Sequence, residues 1–309
     1  MFLKENRIRT ARILIIGLVI LFSYSSLQAR GGGSCAMEFL NIGVGARALG
    51  MGGAYSSIVD DPSACYWNPA ALAGVGSNSL MLQHTQHYMD IDLEYAAYSR
   101  QVFTGGTIGL SLAYVHMGTI AGYDADDVPI GDFKAYDLAY GLSFGYQLSE
   151  HANLGIGVKR INQLLGDFRA QGWAFDAGLQ FTEEKWSTSI VAANWGPEVK
   201  YELESAELPS EVRFGLGYFP LFFPLTFGAE YGYGRDGTSR LAFGVEYALS
   251  DHFMVRSGYR PMGINYGEST YSIGCGMKVW NQQVDYTYLP NKEWGDSHRF
   301  SILFALSAQ

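Results

Sequence analysis

Three sets of residues in this chain have types and spacings that could do chemistry. The first is a glycine-rich run, Gly43, Gly45, Gly50, Gly52 and Gly53, of the kind that can cradle a phosphate. It does not spell the dinucleotide pattern, and no Lys-Ser/Thr follows it. The second is the histidines. His84 and His87 are three residues apart, on opposite faces of a strand, so they do not form a metal pair. His116 and His151 stand near strand ends. Asp124, Asp126 and Asp127 have two readings, a weak calcium site and a solvated acidic loop. No nucleophile elbow or zinc-protease helix motif is present. The expectation is a chain that is not an enzyme and carries no cofactor or metal.

The third set is eight charges placed in runs that otherwise alternate large apolar and small residues. They are Lys159, Asp176, Arg213, Glu230, Glu246, Arg256, Lys278 and Asp285. Four are positive and four negative. They fall as opposite pairs on neighbouring segments: 159 with 176, 213 with 230, 246 with 256, and 278 with 285. An enclosed polar interior would hold such pairs, because an unpaired buried charge is costly.

The segments that must position them are strands. "LAYGLSFGYQL" (138–148) puts Leu138, Tyr140, Leu142, Phe144, Tyr146 and Leu148 on one face and small residues on the other. Fourteen such segments begin near residues 79, 91, 106, 135, 152, 171, 186, 211, 224, 239, 252, 270, 282 and 298. Most are long enough for a tilted membrane-spanning strand. Their connections alternate. Short ones fall at 103–105, 149–151, 183–185, 220–223, 249–251 and 280–281. Longer ones fall at 118–133, 163–170, 196–210, 262–269 and 290–297, with 89–90 and 234–238 as exceptions. The last alternating run, His298 to Leu306, suits pairing with the first. The fold expected is all-β, a fourteen-stranded antiparallel transmembrane β-barrel over 78–309.

Composition agrees. Of 309 residues, 15% are aromatic and only 17% charged, and 38 are glycine, which suits strands whose outer face meets lipid. Lys4, Arg7, Arg9 and Arg12 precede an apolar run, Ile13 to Tyr24, and a small or polar exit at Ser25 to Ala29. This reads as a cleaved signal peptide over 1–29, the run being short of the about 20 residues that span a bilayer. Its removal takes away four positive charges and one negative, and shifts the net charge from −9 to −12. An acidic exported chain has no electrostatic case for binding nucleic acid. The expected location is a bacterial outer membrane, with lipid as a partner. Cys35 and Cys65 could pair; a lipid-anchor reading of Cys35 is weaker.

Residues 30–77 precede the first strand and do not alternate. Asp60 or Asp61 can cap one short helix with Pro62 in its first turn. Asn68 can cap a second, with Pro69 first and Gly74 as terminator. Arg47 either pairs with Asp60 or Asp61 or is solvated. A compact plug inside the barrel fits, with Gly141, Ser143, Gly145, Gly155 and Gly157 making room for it.

The stretch "FLNIGVGARALGMGGAYSSIVDDPSACYWNPAAL" (Phe39 to Leu72) resembles the N-terminal signature of the PorV/PorQ family of outer-membrane proteins. Its "DDPSACYWNPAAL" part is similar to the "NPA" region of the related FadL-type outer-membrane transporters. The resemblance implies that Gly43, Gly45, Ala46, Arg47, Gly50, Met51, Gly52, Gly53, Asp61, Asn68, Pro69 and Ala70 form a hatch in the lumen. It implies a role as accessory to protein export by a type IX secretion system, with secreted cargo proteins and the secretion translocon as partners. Loops 118–133 and 196–210 would then meet cargo. The alternative is a FadL-like passive transporter of hydrophobic small molecules, its ligand entering from outside and leaving through a gap in the wall.

Overall fold

The computed structural model describes residues 35–306, apart from 77, 89–90, 119, 202–203 and 263–268. The signal-peptide expectation therefore lies outside the described residues.

Fourteen strands form one closed antiparallel ring. They are β1 (Ser79–Gln86), β2 (Ile91–Phe103), β3 (Gly106–Met117), β4 (Ala135–Ser149), β5 (Ala152–Leu165), β6 (Phe168–Glu183) and β7 (Trp186–Trp195). The ring continues with β8 (Glu211–Tyr218), β9 (Leu225–Gly234), β10 (Ser239–Ala248), β11 (Phe253–Met262), β12 (Tyr271–Val279), β13 (Gln282–Leu289) and β14 (Ser297–Ala305). β14 closes on β1, from Ser79 opposite Ala305 to Gln86 opposite His298. Closure leaves no edge strand to be satisfied in lipid.

The alternation sorts the side chains. Leu110, Leu112, Tyr140, Leu142, Ile156, Phe175, Phe243 and Ile273 stand exposed on the outer face. Their inward neighbours are small or polar, so the apolar exterior is one that lipid must cover.

One connection is shorter than expected, and two carry short ladders of their own. Gln163 still pairs with Ala170, so no long loop lies there; β5 and β6 meet through Gly166 at φ 61°. Residues 118–133 contain a hairpin, Ile120–Tyr123 against Pro129–Phe133. A two-residue ladder, Val199–Lys200 against Ser205–Ala206, lies in the β7–β8 connection. β4, β5 and β6 have 15, 14 and 16 residues, against 8 each in β8 and β13. The difference is roughly 20–25 Å of extended chain.

The core lies inside the ring. Leu40, Val44, Leu49, Met51, Tyr55, Trp67 and Leu72 are buried with Leu93, Tyr95 and Ile161 of the wall. The chain from residue 35 to β1 thus packs within the barrel. It folds as α1 (Ala46–Gly50), α2 (Ala64–Trp67) and 3-10 turns at Glu38–Asn41 and Pro69–Gly74.

Candidate functional site

The inner segment is seated on glycines. A Cβ on Gly155 would meet the backbone of Pro69 and Ala70; one on Gly178 would meet the Asn68 side chain. Gly228 faces Ala54, Gly244 faces Met51, Gly258 faces Gly52 and Gly274 faces Gly50. Six strands therefore each leave out a side chain where the segment passes. Of the small wall residues expected to make room, Gly145 and Gly155 touch the segment. Gly141 instead abuts Ser111 and Lys159, and Gly157 abuts Ser143 and Asp176. Ser143 is buried and hydrogen-bonds the Cys65 thiol.

Within the segment, Gly45, Gly52 and Gly53 have φ of 85°, 67° and 79°, a left-handed backbone that side chains resist. The Gly45 N–H donates to Gln83. Gly43 packs on Leu49 and Trp67. The Ala46 carbonyl accepts from Thr287 at 2.5 Å. Asn68 is fully buried and extended. Its Oδ1 accepts from the Ala70 N–H at 3.0 Å and its Nδ2 donates to the Ser56 carbonyl at 3.0 Å. Pro69 opens the turn, but the turn is 3-10, and Gly74 is its last residue rather than a left-handed terminator. Asp61 is buried and accepts from Tyr55 Oη at 2.8 Å and the Ser63 N–H at 2.7 Å. Burial pushes its carboxyl up, with Asp60 adding to the effect.

Arg47 bonds Asp60 at 2.5 Å and reaches Glu246 on the wall with both Nε and Nη2 at 2.9 Å. Burial alone would lower its pKa, but Asp60, Tyr55 and Glu246 outweigh that and hold it charged. Arg256 lies between Glu246 at 2.5 Å and Asp285 at 2.6 Å. Lys159 bonds Asp176 at 2.9 Å.

Two expected pairs make no direct ion pair among the described residues. Arg213 sits opposite Gly232 and Glu230 opposite Gly215, so they are offset by two residues. Arg213 lies 3.4 Å from Glu211 and donates to the Tyr66 carbonyl at 2.9 Å. Glu230 accepts from the Ser56 N–H at 2.9 Å. Lys278 is exposed at the short-turn mouth, and Asp285 is taken by Arg256 of β11. The intervening β12 has only Gly274 and Gly276 on its inner face there, so the arginine reaches across a whole strand. That Gly-x-Gly was the available signal. Sequence reasoning also missed Glu211, Arg240, Arg260 and Arg299, all of the inner face.

The other candidates resolve simply. Cys35, Cys65 and Cys275 are thiols, so no disulfide joins Cys35 to Cys65. Burial pushes the Cys65 thiol up to about 12 and makes it unreactive. His84 faces outward against Glu94 at 2.6 Å. Asp124 accepts from the backbone of Asp126 and Val128. No group of three or more metal-ligating side chains converges among the described residues.

Free space is uneven. Against the segment's middle lie cavities of about 20 and 30 Å³. At the short-turn end, a bowl of about 470 Å³ is lined by Arg47, Glu246, Arg256 and Lys278. At the long-loop end, a vestibule of about 370 Å³ lies over the segment. Phe39, Ile42, Ile91, Val115 and Met117 line it with Glu38, Asn41, Asp137, Glu211 and Arg299. The lipid-facing side of β2–β6 bears a groove of about 520 Å³ beside Leu110, Tyr140 and Trp173. Ser111 and Gly141 line both this groove and the 30 Å³ inner cavity. The β3–β4 ladder is unbroken from Gly106 to His116.

No protein-family model matches the chain, and no curated protein does. Solved structures share its fold. The CymD monoaromatic hydrocarbon channel superposes with a TM-score of 0.64 at 12% identity, over 86% of this chain and 98% of that one. A Pseudomonas aeruginosa FadL homologue gives 0.59 at 12%, over 85% and 98%. The Pseudomonas putida toluene transporter TodX gives 0.59 at 12%, over 84% and 96%.

Proposed function

We propose that this protein is an outer-membrane barrel that admits small apolar or amphiphilic molecules passively, with residues 35–77 as its hatch. The observation that carries this reading is the 370 Å³ vestibule, open at the long-loop end and floored by the segment. A pocket of that size with an apolar body and a few polar groups is what small ligands use. Likeness in fold to hydrocarbon channels supports the same reading. The barrel as described is closed. The strand ring is closed and the segment packs across the lumen, so passage requires the hatch or the thin wall at Ser111 and Gly141 to move. The test is uptake of a small hydrocarbon by vesicles containing the protein. Uptake no faster than by empty vesicles would overturn the reading.

A second reading keeps the export role implied by the resemblance over Phe39 to Leu72. The observation that favours it is the exposed apolar set at the long-loop end: Tyr123, Val128, Phe133, Leu165 and Phe168. A protein partner could cover it. Co-purification of a stoichiometric exported protein would support this reading; a preparation free of protein partners would not.

A further inference from the structure

The vestibule's polar groups are not balanced, and the imbalance specifies a ligand class. Its cations have nearby acceptors. Arg240 bonds Glu211 at 2.5 Å and Arg235 bonds Glu207 at 2.6 Å. Arg299 donates to the Gly43 carbonyl at 2.6 Å, at the floor. His87, buried beside Arg299, is held neutral. Of the buried polar atoms here without a hydrogen bond, two are acceptors and one, Arg299 Nε, is a donor. Gln163 bonds the Asp137 carboxyl, yet Asp137 Oδ1 and Asn41 Oδ1 are both buried without a hydrogen-bond partner. No ion pair is formed by Asp137, Glu38 or Asp236 among the described residues. Glu38 and Asp236 repel one another across the same space. An acceptor buried without a donor is a standing penalty that a donor-bearing ligand removes.

The rest of the lining is apolar or aromatic. Phe39, Ile42, Val115 and Met117 face the cavity, with Tyr88 at its rim. Tyr88 packs on His87 at 4.1 Å and on Trp294 at 6.0 Å between ring centroids, so its ring is held in place. A fixed tyrosine ring beside carboxylates favours a cation. Outside the vestibule, Asp124, Asp126 and Asp127 add negative charge to the same end of the barrel, which steers cations inward.

The geometry points to a small cationic amphiphile as the vestibule's ligand: an apolar or aromatic body bearing one ammonium group, its N–H donors directed at Asp137 and Asn41. This rests on the vestibule being a ligand site, and it narrows that reading, because a neutral hydrocarbon would leave both acceptors unsatisfied and a carboxylate would bring them only further acceptors.

Four probes of one shape separate these cases: benzylamine, benzyl alcohol, toluene and benzoate, titrated against the full-length mature protein in nanodiscs. The expected order of affinity is benzylamine, benzyl alcohol, toluene, benzoate, with about tenfold between the first and third. Asp137→Asn, which keeps shape and removes charge, should weaken benzylamine about tenfold and leave toluene within about twofold. Equal or tighter binding of toluene or benzoate would overturn the inference while leaving the vestibule a ligand site. Benzylamine binding unchanged in Asp137→Asn would also overturn it. If none of the four binds the native protein, both the inference and the ligand-site reading fail.

Discussion

The two halves of the lumen are built by opposite rules. Around the segment's middle, side chains are omitted from the wall and charges are matched. Gly155, Gly228, Gly244 and Gly258 let backbone touch backbone, and Arg256 is ion-paired with both Glu246 and Asp285. At the long-loop end, side chains remain and acceptors are left over, with Asp137 Oδ1 and Asn41 Oδ1 short of donors. A protein that only needed to fill its barrel would treat both ends alike. The contrast separates a packed seat from an open vestibule, which the proposed function makes a receptacle.

The contrast can be broken from the seat. Arg256→Ala leaves Glu246 and Asp285 buried with one partner fewer, and a loss of about 3–5 kcal/mol is expected. Thermal unfolding in detergent measures it. Gly155→Val forces methyl groups into the Pro69–Ala70 backbone and should lose about 1–3 kcal/mol or unseat the segment. Ion conductance in planar bilayers distinguishes these, because an unseated segment opens the lumen.

At the receptacle the expected effects are smaller. Burial, with Arg299 adding, lowers the His87 pKa to about 3, against about 6.5 in an unfolded chain. The folded state therefore binds fewer protons between those values. The stability from neutral His87 is intact above about pH 6.5 and falls with acidification, by about 1.4 kcal/mol per pH unit. His87→Gln should flatten that slope in a melting series from pH 7.5 to 5.5. Smallest of all, Asp124→Ala, in an exposed loop hairpin, should change stability by less than about 0.5 kcal/mol, with or without calcium.

Much of the seat was legible in the sequence. Alternation in "LAYGLSFGYQL" marks a strand with two faces, and Asn68-Pro69 marks a capped turn, because each signal is local. Partners across strands were less legible. Lys159 with Asp176 and Glu246 with Arg256 follow from adjacency, since strand neighbours in the chain are neighbours in the ring. Arg256 with Asp285 does not, because it depends on two glycines of the strand between them. Arg213 turned from Glu230 to Tyr66 because register, which no single strand encodes, offset the pair by two residues. The vestibule was not legible at all. It joins Asn41, Asp137, Glu211 and Arg299, which only barrel closure brings to one end.

The most direct test is mass spectrometry of the protein isolated from its own outer membrane in mild detergent, with small molecules and proteins analysed together. The account predicts a small amphiphile at near one per barrel and no stoichiometric exported protein. An empty vestibule with an exported protein bound at one per barrel would contradict it.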